Sequence, residues 1–374
     1  MYVMDTSRMN RRIAELSELR EFNNLLAMAV CAPIEDGAYF DDFAEFEACA
    51  KDFQADMAAS NIQYSDDESL IASMLTGFVM HAGIEHIMPP TLMHLYILNG
   101  KVFHLGDFDD NPYYRDIHFE EQTVGRFKLT HNSYSKYESC MWNTVKFVNG
   151  TMIPRVGLFD HEFRYPCITE DDATWMSVTP NEIFTMQPAI DAAHGKVLTL
   201  GCGMGYFAYM SALKDDVSKV TIVEKNPEVI ELFTKYILPQ FSVKDKVEII
   251  QADAFEYMET LQDGLYDYCF ADIWIGNMDT LPYLQLKKIC KKFEKTEMSY
   301  WIEDAMVSTI IGYVWIIILE QFAISHHQEV PSMDLPPDEH VKLDALREVL
   351  SDVRITKPEH LDYYMDYRNI IALL

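Results

Sequence analysis

A chain of 374 residues is long enough for two domains, or for one large domain with an N-terminal extension. Its 49% apolar and 24% charged residues are ordinary for a soluble globular protein. The formal net charge of −29 repels nucleic acids and anionic lipids, so neither a nucleic acid nor a membrane is expected as a partner, whereas a cationic small molecule is compatible with this surface.

Residues 1–90 are predicted to form a helical N-terminal region. Apolar residues recur at helical spacing across residues 8–30, and further helices are expected at residues 41–59 and 65–82. The break at Met88-Pro89-Pro90 is expected to end this helical part.

Residues 91–178 are predicted to be rich in β-strand. Short apolar runs such as Leu95–Leu98 and Lys101–Phe103 are punctuated by the dipeptides Asn99-Gly100 and Asn149-Gly150. Asn-Gly pairs between such runs are a strong signal for hairpin turns. Antiparallel strands are therefore expected to lead into the next region.

Residues 179–374 are predicted to form an α/β domain. A capping-box pattern at Thr179–Glu182 opens a helix, and strands and helices then alternate. The predicted strands are residues 196–200, 219–223, 247–250, 266–270 and 300–302. Continuous apolar strands separated by helices predict a mostly parallel sheet with helices on both faces.

The C-terminal part of this region contains an uncharged apolar stretch, Ala305–Leu319. It is shorter than the ~18 to 20 residues that a membrane-spanning helix needs, so a buried core element is expected. A proline-rich loop is expected at residues 331–337, followed by a helix near residues 341–350.

The seven cysteines are scattered along the chain without a spacing typical of zinc ligands. They are interpreted as reduced thiols of a cytoplasmic protein, and no metal site is expected.

The most informative stretch is Val197–Gly205, in which an apolar strand runs into a G-x-G-x-G loop. Residues from Tyr206 onward open a helix with an apolar face. A strand, a glycine turn and a helix form the arrangement that cradles nucleotides, because glycine lets the backbone approach a ligand closely. Tyr206 occupies the position of the third glycine in a dinucleotide fingerprint, so NAD is not expected.

Three acidic residues follow the ends of three predicted parallel strands, where such sheets bind their ligands. Glu224 is placed to accept hydrogen bonds from ribose hydroxyls, Asp253 to accept one from an adenine amine, and Asp272 to face the reacting end of a cofactor. Each acid alone has a simpler interpretation as a helix cap or loop residue. All three behind a G-x-G-x-G loop predict an adenosyl-cofactor site.

Residues 180–303 resemble class I S-adenosylmethionine-dependent methyltransferases, and the stretches 219–239 and 247–258 are similar to spermidine synthases. The resemblance implies the Rossmann-like fold of those methyltransferases and S-adenosyl-L-methionine as the cofactor. The residues expected to contact this cofactor are Gly201, Cys202, Gly203, Gly205, Glu224, Lys225, Asp253, Ala254 and Asp272.

The predicted reaction is in-line transfer of a methyl group from the sulfonium to a small-molecule acceptor, with Asp272 orienting or deprotonating that acceptor. Tyr206, Trp274 and Glu303 are the candidate residues of the acceptor pocket. Asp272 is followed by Ile273 and Trp274, without the second acid of aminopropyltransferases, which argues against spermidine synthesis itself.

Two alternatives remain open. One is spermidine synthase-like aminopropyl transfer to a cationic amine. The other is an adenosyl-ligand-binding protein without catalysis. The sequence predicts neither the acceptor nor the oligomeric state.

Overall fold

The computed structural model describes residues 1–38, 40–330 and 335–374. Residues 331–334 of the expected proline-rich loop lie outside the described residues. The described chain is mixed α/β, with many helices and several separate sheets.

The first ninety-nine residues are mainly helical. Their elements are β1 (Tyr2–Val3), α1 (Ser7–Leu26), α2 (Ala32–Glu35), α3 (Phe43–Ala59), α4 (Asp66–His81) and α5 (Pro90–Asn99). A π-helical turn, Ala27–Cys31, joins α1 to α2. Helix α4 begins with a capping box: the Ser65 side chain accepts a hydrogen bond from the N–H of Glu68, and the Glu68 carboxylate accepts one from the Ser65 N–H.

The sequence interpretation was wrong at Pro90–Asn99. Pro90 occupies the first turn of helix α5 rather than ending the helical part, a position where its missing N–H is not needed. Leu92, Tyr96 and Ile97 are buried on one side of that helix, so the apolar run at 95–98 is helical and not a strand. Gly100 follows the end of α5, and Asn99-Gly100 is therefore not a hairpin turn.

The middle of the chain contains three small sheets. Its elements are β2 (Lys101–Phe103), α6 (Pro112–Asp116), β3 (Gln122–Val124), β4 (Phe127–Tyr134), β5 (Ser139–Met141), β6 (Lys146–Val148), β7 (Thr151–Ile153), β8 (Val156–Phe159), β9 (Phe163–Glu170) and β10 (Ala173–Ser177). Strands β10-β9-β4-β3 form an antiparallel sheet, β2-β8-β5 a second sheet, and β6-β7 a hairpin. The hairpin turn predicted at Asn149-Gly150 is confirmed, since it joins β6 to β7.

His104, just after β2, connects the helical and strand-rich parts of the chain. Its Nδ1 lies 2.7 Å from a carboxylate oxygen of Asp160, and its Nε2 lies 3.0 Å from one of Asp67. These two hydrogen bonds, led by that to Asp160, raise the pKa of His104 to about 9.

The C-terminal part is built on one parallel sheet. Its elements are α7 (Pro180–Ala192), β11 (Gly195–Leu200), α8 (Tyr206–Ala212), β12 (Val217–Glu224), α9 (Pro227–Leu232), β13 (Val247–Gln251), α10 (Ala254–Thr260), β14 (Tyr268–Ala271), α11 (Thr280–Cys290), β15 (Glu297–Tyr300), α12 (Glu303–Ser325), α13 (Pro337–Val349), β16 (Arg354–Ile355), α14 (Pro358–Tyr364) and α15 (Tyr367–Leu373). The five strands lie in the order β13-β12-β11-β14-β15, and every neighbouring pair is parallel.

Helices cover both faces of this sheet. Successive side chains along a strand point to opposite faces, so neighbouring residues of one strand pack into different cores. Val197 and Phe270 join the core formed with α7, α8 and α9. Leu198 and Cys269 join the core formed with α10, α11 and α12. The sheet therefore lies between two apolar layers.

Helix α12 is long and apolar enough to cross a membrane by length and composition. Its residues Met306, Val307, Ile310 and Ile318 are fully buried in the core against the parallel sheet. The expectation of a buried core element at 305–319 is confirmed. The fifth strand ends earlier than predicted, at Tyr300, because the chain turns at Ile302 into α12.

The two ends of the described chain meet. Strand β1 pairs in parallel with β16, and Met9, Ile13 and Leu16 of α1 pack into the same core as α12. Helix α1 of the predicted region 1–90 therefore packs on the predicted region 179–374. The division into regions 1–90, 91–178 and 179–374 stays a prediction.

Candidate active site

The glycine loop that follows β11 approaches other parts of the protein closely. Gly201 has a φ of +96°, and a Cβ built on it would lie 2.0 Å from the backbone oxygen of Asp272. Gly203 has a φ of +47°, and its Cβ would lie 2.7 Å from the terminal methyl of Met176. A side chain at either position would force its neighbours to move. The first glycine thus brings the ends of β11 and β14 together, and the second brings the loop under β10.

Glu224, at the end of β12, holds the glycine loop. Its carboxylate accepts hydrogen bonds from the N–H of Cys202 at 3.1 Å and from the N–H of Asn226 at 2.8 Å. Only 8% of Glu224 is exposed. A carboxylate can accept about four hydrogen bonds, so it retains capacity for ligand hydroxyls.

Asp253 follows β13 and caps helix α10. Its Oδ1 accepts hydrogen bonds from the N–H groups of Phe255 at 2.9 Å and Glu256 at 3.3 Å. One carboxylate oxygen of Asp253 therefore caps the helix, as the simpler interpretation predicted. No described donor reaches the other oxygen, and the residue also lines the cavity beside Glu224.

Asp272 lies directly after β14, and its N–H donates to the carbonyl of Leu200 at 2.9 Å. Its side chain accepts no hydrogen bond from any residue that the structure describes. Burial, and after it the negative charge of Glu182, raises the pKa of Asp272 to about 8. Within the described part of the chain, the Asp272 carboxyl group therefore has no hydrogen-bond partner.

These acids surround one cavity of about 140 Å³. The predicted residues that line it are Gly201, Gly203, Glu224, Lys225, Asp253, Ala254, Asp272 and Trp274. A second cavity of about 20 Å³ lies beneath the loop, and both Cys202 and Tyr206 line it. The parallel sheet thus brings most of the predicted residues together.

The structure gives the other predicted residues different surroundings. Gly205, with a φ of +73°, begins helix α8 and lines neither of the two cavities among the described residues. Glu303 lies at the start of α12, where it accepts hydrogen bonds from the Tyr283 hydroxyl at 2.7 Å and the Lys287 amine at 3.2 Å. It is not among the described residues that line either cavity.

The two aromatic candidates are mainly buried. Tyr206 is 4% exposed, and its hydroxyl accepts a hydrogen bond from Asn111 at 3.1 Å. Trp274 is also 4% exposed, and its indole N–H donates to the carbonyl of Trp301 at 3.2 Å. Both reach a cavity with part of the ring, so they combine core packing with a place in its wall.

Sequence reasoning missed several residues of the site, and three of them come from β10 and α7. Trp175 and Met176 belong to β10 and line the larger cavity. Glu182, recognised only as part of a capping box, lines the small cavity together with Asp272. No local pattern marks these residues as site residues, because their position depends on how β10 and α7 pack on the glycine loop.

The charge of the site is one-sided. The acids at the two cavities are Glu182, Glu224, Asp253 and Asp272. Lys225 is the one basic residue among the described residues lining them, and it is exposed. A bound group that carries positive charge is therefore favoured near Asp272.

No protein-family model matches this chain, and no curated protein sequence matches it. Several solved structures are partly similar. A spermidine synthase from Thermotoga maritima has a TM-score of 0.28 and 18% identity, over 38% of this chain and 56% of that one. A probable spermidine synthase from Corynebacterium glutamicum has a TM-score of 0.25 and 19% identity, over 30% and 45%.

A conserved hypothetical protein from Streptococcus pyogenes has a TM-score of 0.24 and 18% identity, over 29% of this chain and 64% of that one. In each case the chain covers less than two thirds of the neighbour's length. With TM-scores this far below 0.5, none of these likenesses decides the family or the activity. The site is therefore interpreted from its own geometry.

Proposed function

We propose that this protein is an S-adenosylmethionine-dependent methyltransferase that acts on a small molecule. The observation that carries the proposal is the meeting of Glu224, Asp253 and Asp272 at the ends of β12, β13 and β14, around the glycine loop that follows β11. The strand order matches the core of the doubly wound folds that bind nucleotides at this edge. On this basis we assign the Rossmann-like, class I methyltransferase fold to the parallel-sheet region.

The residues present fit an adenosyl ligand in their chemistry. Glu224 would accept hydrogen bonds from the ribose hydroxyls, and the free oxygen of Asp253 would accept one from the adenine amine. The aromatic rings of Trp175 and Phe255 border the same space. The cavity of about 140 Å³ is smaller than the roughly 300 Å³ expected of a ligand pocket, so its lining side chains must shift on binding.

When bound, the cofactor would supply an activated methyl group on a positively charged sulfur. Its transfer would join the methyl carbon to the acceptor, leave the electron pair of the broken carbon–sulfur bond on sulfur, and require the acceptor to lose a proton. Asp272 would accept this proton, because no donor among the described residues occupies its carboxyl oxygens. The acidic surroundings favour a small cationic acceptor such as an amine.

A second candidate, aminopropyl transfer, is favoured by one specific observation. S-adenosylmethionine carries a carboxylate on its amino-acid chain, and the cavity lining among the described residues offers only the exposed Lys225 as a basic partner. A decarboxylated adenosyl donor needs no such partner and would place a second positive charge beside the acids. The product distinguishes the two reactions.

The first test measures binding by thermal shift with S-adenosylmethionine, S-adenosylhomocysteine and NAD. The adenosyl sulfur compounds should raise the melting temperature, because a ligand that binds only the folded state stabilises it. NAD should have no effect. Stabilisation by NAD without a response to either sulfur compound would contradict the proposal.

The second test measures turnover with a panel of small amines. Release of S-adenosylhomocysteine identifies methyl transfer, and release of 5′-methylthioadenosine from a decarboxylated donor identifies aminopropyl transfer. Asp272→Asn serves as the matched variant and should lower the turnover rate at least about 100-fold if Asp272 is the base. Binding without any turnover across the panel would instead support an adenosyl-ligand-binding protein.

A further inference from the structure

Two carboxyl groups from separate parts of the chain line the small cavity beneath the glycine loop. Asp272 enters from the end of β14, and Glu182 enters from the first turn of α7. Thr199, Cys202 and Tyr206 also line this cavity, and none of these side chains is a cation. Two carboxylates in one desolvated space repel each other, so they do not both ionise readily.

Hydrogen-bond donors indicate which of the two carries the negative charge. Glu182 accepts hydrogen bonds from the Ser177 hydroxyl at 2.8 Å and from the N–H of Thr179 at 2.9 Å. Burial raises the pKa of Glu182, and these hydrogen bonds oppose that rise by favouring its ionised form, because the N–H is an obligatory donor. Asp272 has no described donor, so it is the carboxyl group that keeps a proton.

The other titratable groups around the pair do not compensate for its charge. Burial raises the pKa of Cys202 well above its ordinary value and that of Tyr206 to about 12, so both are neutral near pH 7. The remaining charged residues that line the two cavities are Glu224, Lys225 and Asp253. Lys225 is exposed and lines only the larger cavity, so the pair has no described cation beside it.

We propose that Asp272 and Glu182 form an acid pair that holds one ammonium group of the bound ligand, and that Asp272 releases its proton to solvent when this ammonium binds. The inference rests on the proposed function for the adenosyl cavity and adds the proton exchange and the role of Glu182. The ligand's positive charge replaces the proton as the partner of the pair.

This exchange has a consequence for catalysis. A protonated Asp272 accepts no proton, so it is inactive as a base in the empty site. Binding of the ammonium group favours the carboxylate form and thereby prepares the base only when ligand is present. Glu182 supplies the second negative charge, which favours the proton on Asp272 in the empty site and the ammonium group in the filled one.

The test is titration calorimetry at pH 6.5 in two buffers with different ionisation enthalpies, which counts the protons released per bound ligand. S-adenosylmethionine, which carries an ammonium group, should release close to one proton. The probe 5′-methylthioadenosine lacks that group and should release none. Asp272→Asn should abolish the release while 5′-methylthioadenosine still binds.

Glu182→Gln removes the second charge and should move the pH of half-maximal proton release downward. Ser177→Ala, which removes one hydrogen bond to Glu182, is the milder variant and should move that pH in the opposite direction. Binding of both probes without proton release would overturn the acid pair and leave the adenosyl site intact. Failure of both probes to bind would overturn the proposed function and the pair together.

Discussion

The stability of this protein should depend on pH through Asp272, and Asp272→Asn tests this directly. The pKa of this carboxyl group is raised from 3.8 to about 8 by burial and by the charge of Glu182. A raised carboxyl pKa stabilises the folded state fully below about pH 4, and this contribution is lost as the pH rises towards 8. Asparagine keeps the side-chain shape but does not ionise, so the variant should become more stable than the natural protein as the pH rises.

The size of the effect follows from the pKa change. A rise from 3.8 to about 8 corresponds to about 6 kcal/mol at most. About 3 kcal/mol of this falls between pH 5.5 and pH 9. Because Asp272 is partly exposed, screening by solvent reduces this value, and we expect about 2 kcal/mol over that range.

Chemical unfolding of both proteins at pH 5.5, 7 and 9 gives the free energy of unfolding at each pH. The advantage of Asp272→Asn over the natural protein should grow by about 2 kcal/mol from the lowest to the highest pH. Asp110→Asn, at an exposed aspartate, is the control with the same change in charge. Parallel pH curves for the two variants would refute the reasoning.

Three further predictions concern the loop, the ribose acid and the histidine bridge. Gly203→Val should abolish adenosyl-ligand binding in calorimetry, because a β-branched residue at a φ of +47° strains the glycine loop, whereas Gly276→Ala, whose Cβ meets nothing within 4 Å, should bind normally. Glu224→Ala should weaken S-adenosylhomocysteine binding by about 1.5 to 3 kcal/mol, and unchanged affinity would remove this residue from the site. His104→Gln should lower the free energy of unfolding by about 1 kcal/mol at pH 6 but not at pH 10. The raised pKa of His104 stabilises the fold below about pH 6.5, and this contribution is lost as the pH rises through about 9. An equal loss at both pH values would contradict this prediction.

The parallel sheet could be predicted because its strands carry their signal locally. Residues 197–200 and 220–223 are continuous apolar runs, as strands covered on both faces must be. Parallel connection then places Glu224, Asp253 and Asp272 at one edge, so their convergence could be expected without coordinates.

Other features depend on contacts that leave little local trace. The run Leu95–Leu98 has the composition of a strand, yet Pro90 starts a helix through it, and tertiary packing decided between the two. Glu182 carries a clear capping pattern, but only the docking of α7 beneath the glycine loop places its carboxylate beside Asp272. Trp175 and Met176 reach the cavity in the same way, through the position of β10.

The pairing of β1 with β16 has a consequence for the order in which this protein can be assembled. Arg12 of α1 bonds to Asp362, which lies 350 positions later in the chain. The apolar stripe of α1 packs in the same core as α12, so during synthesis it stays uncovered until residues beyond 303 have left the ribosome. Chains cut short before α12 should leave this stripe exposed, and they should be far more prone to aggregate and to bind chaperones than chains that include it.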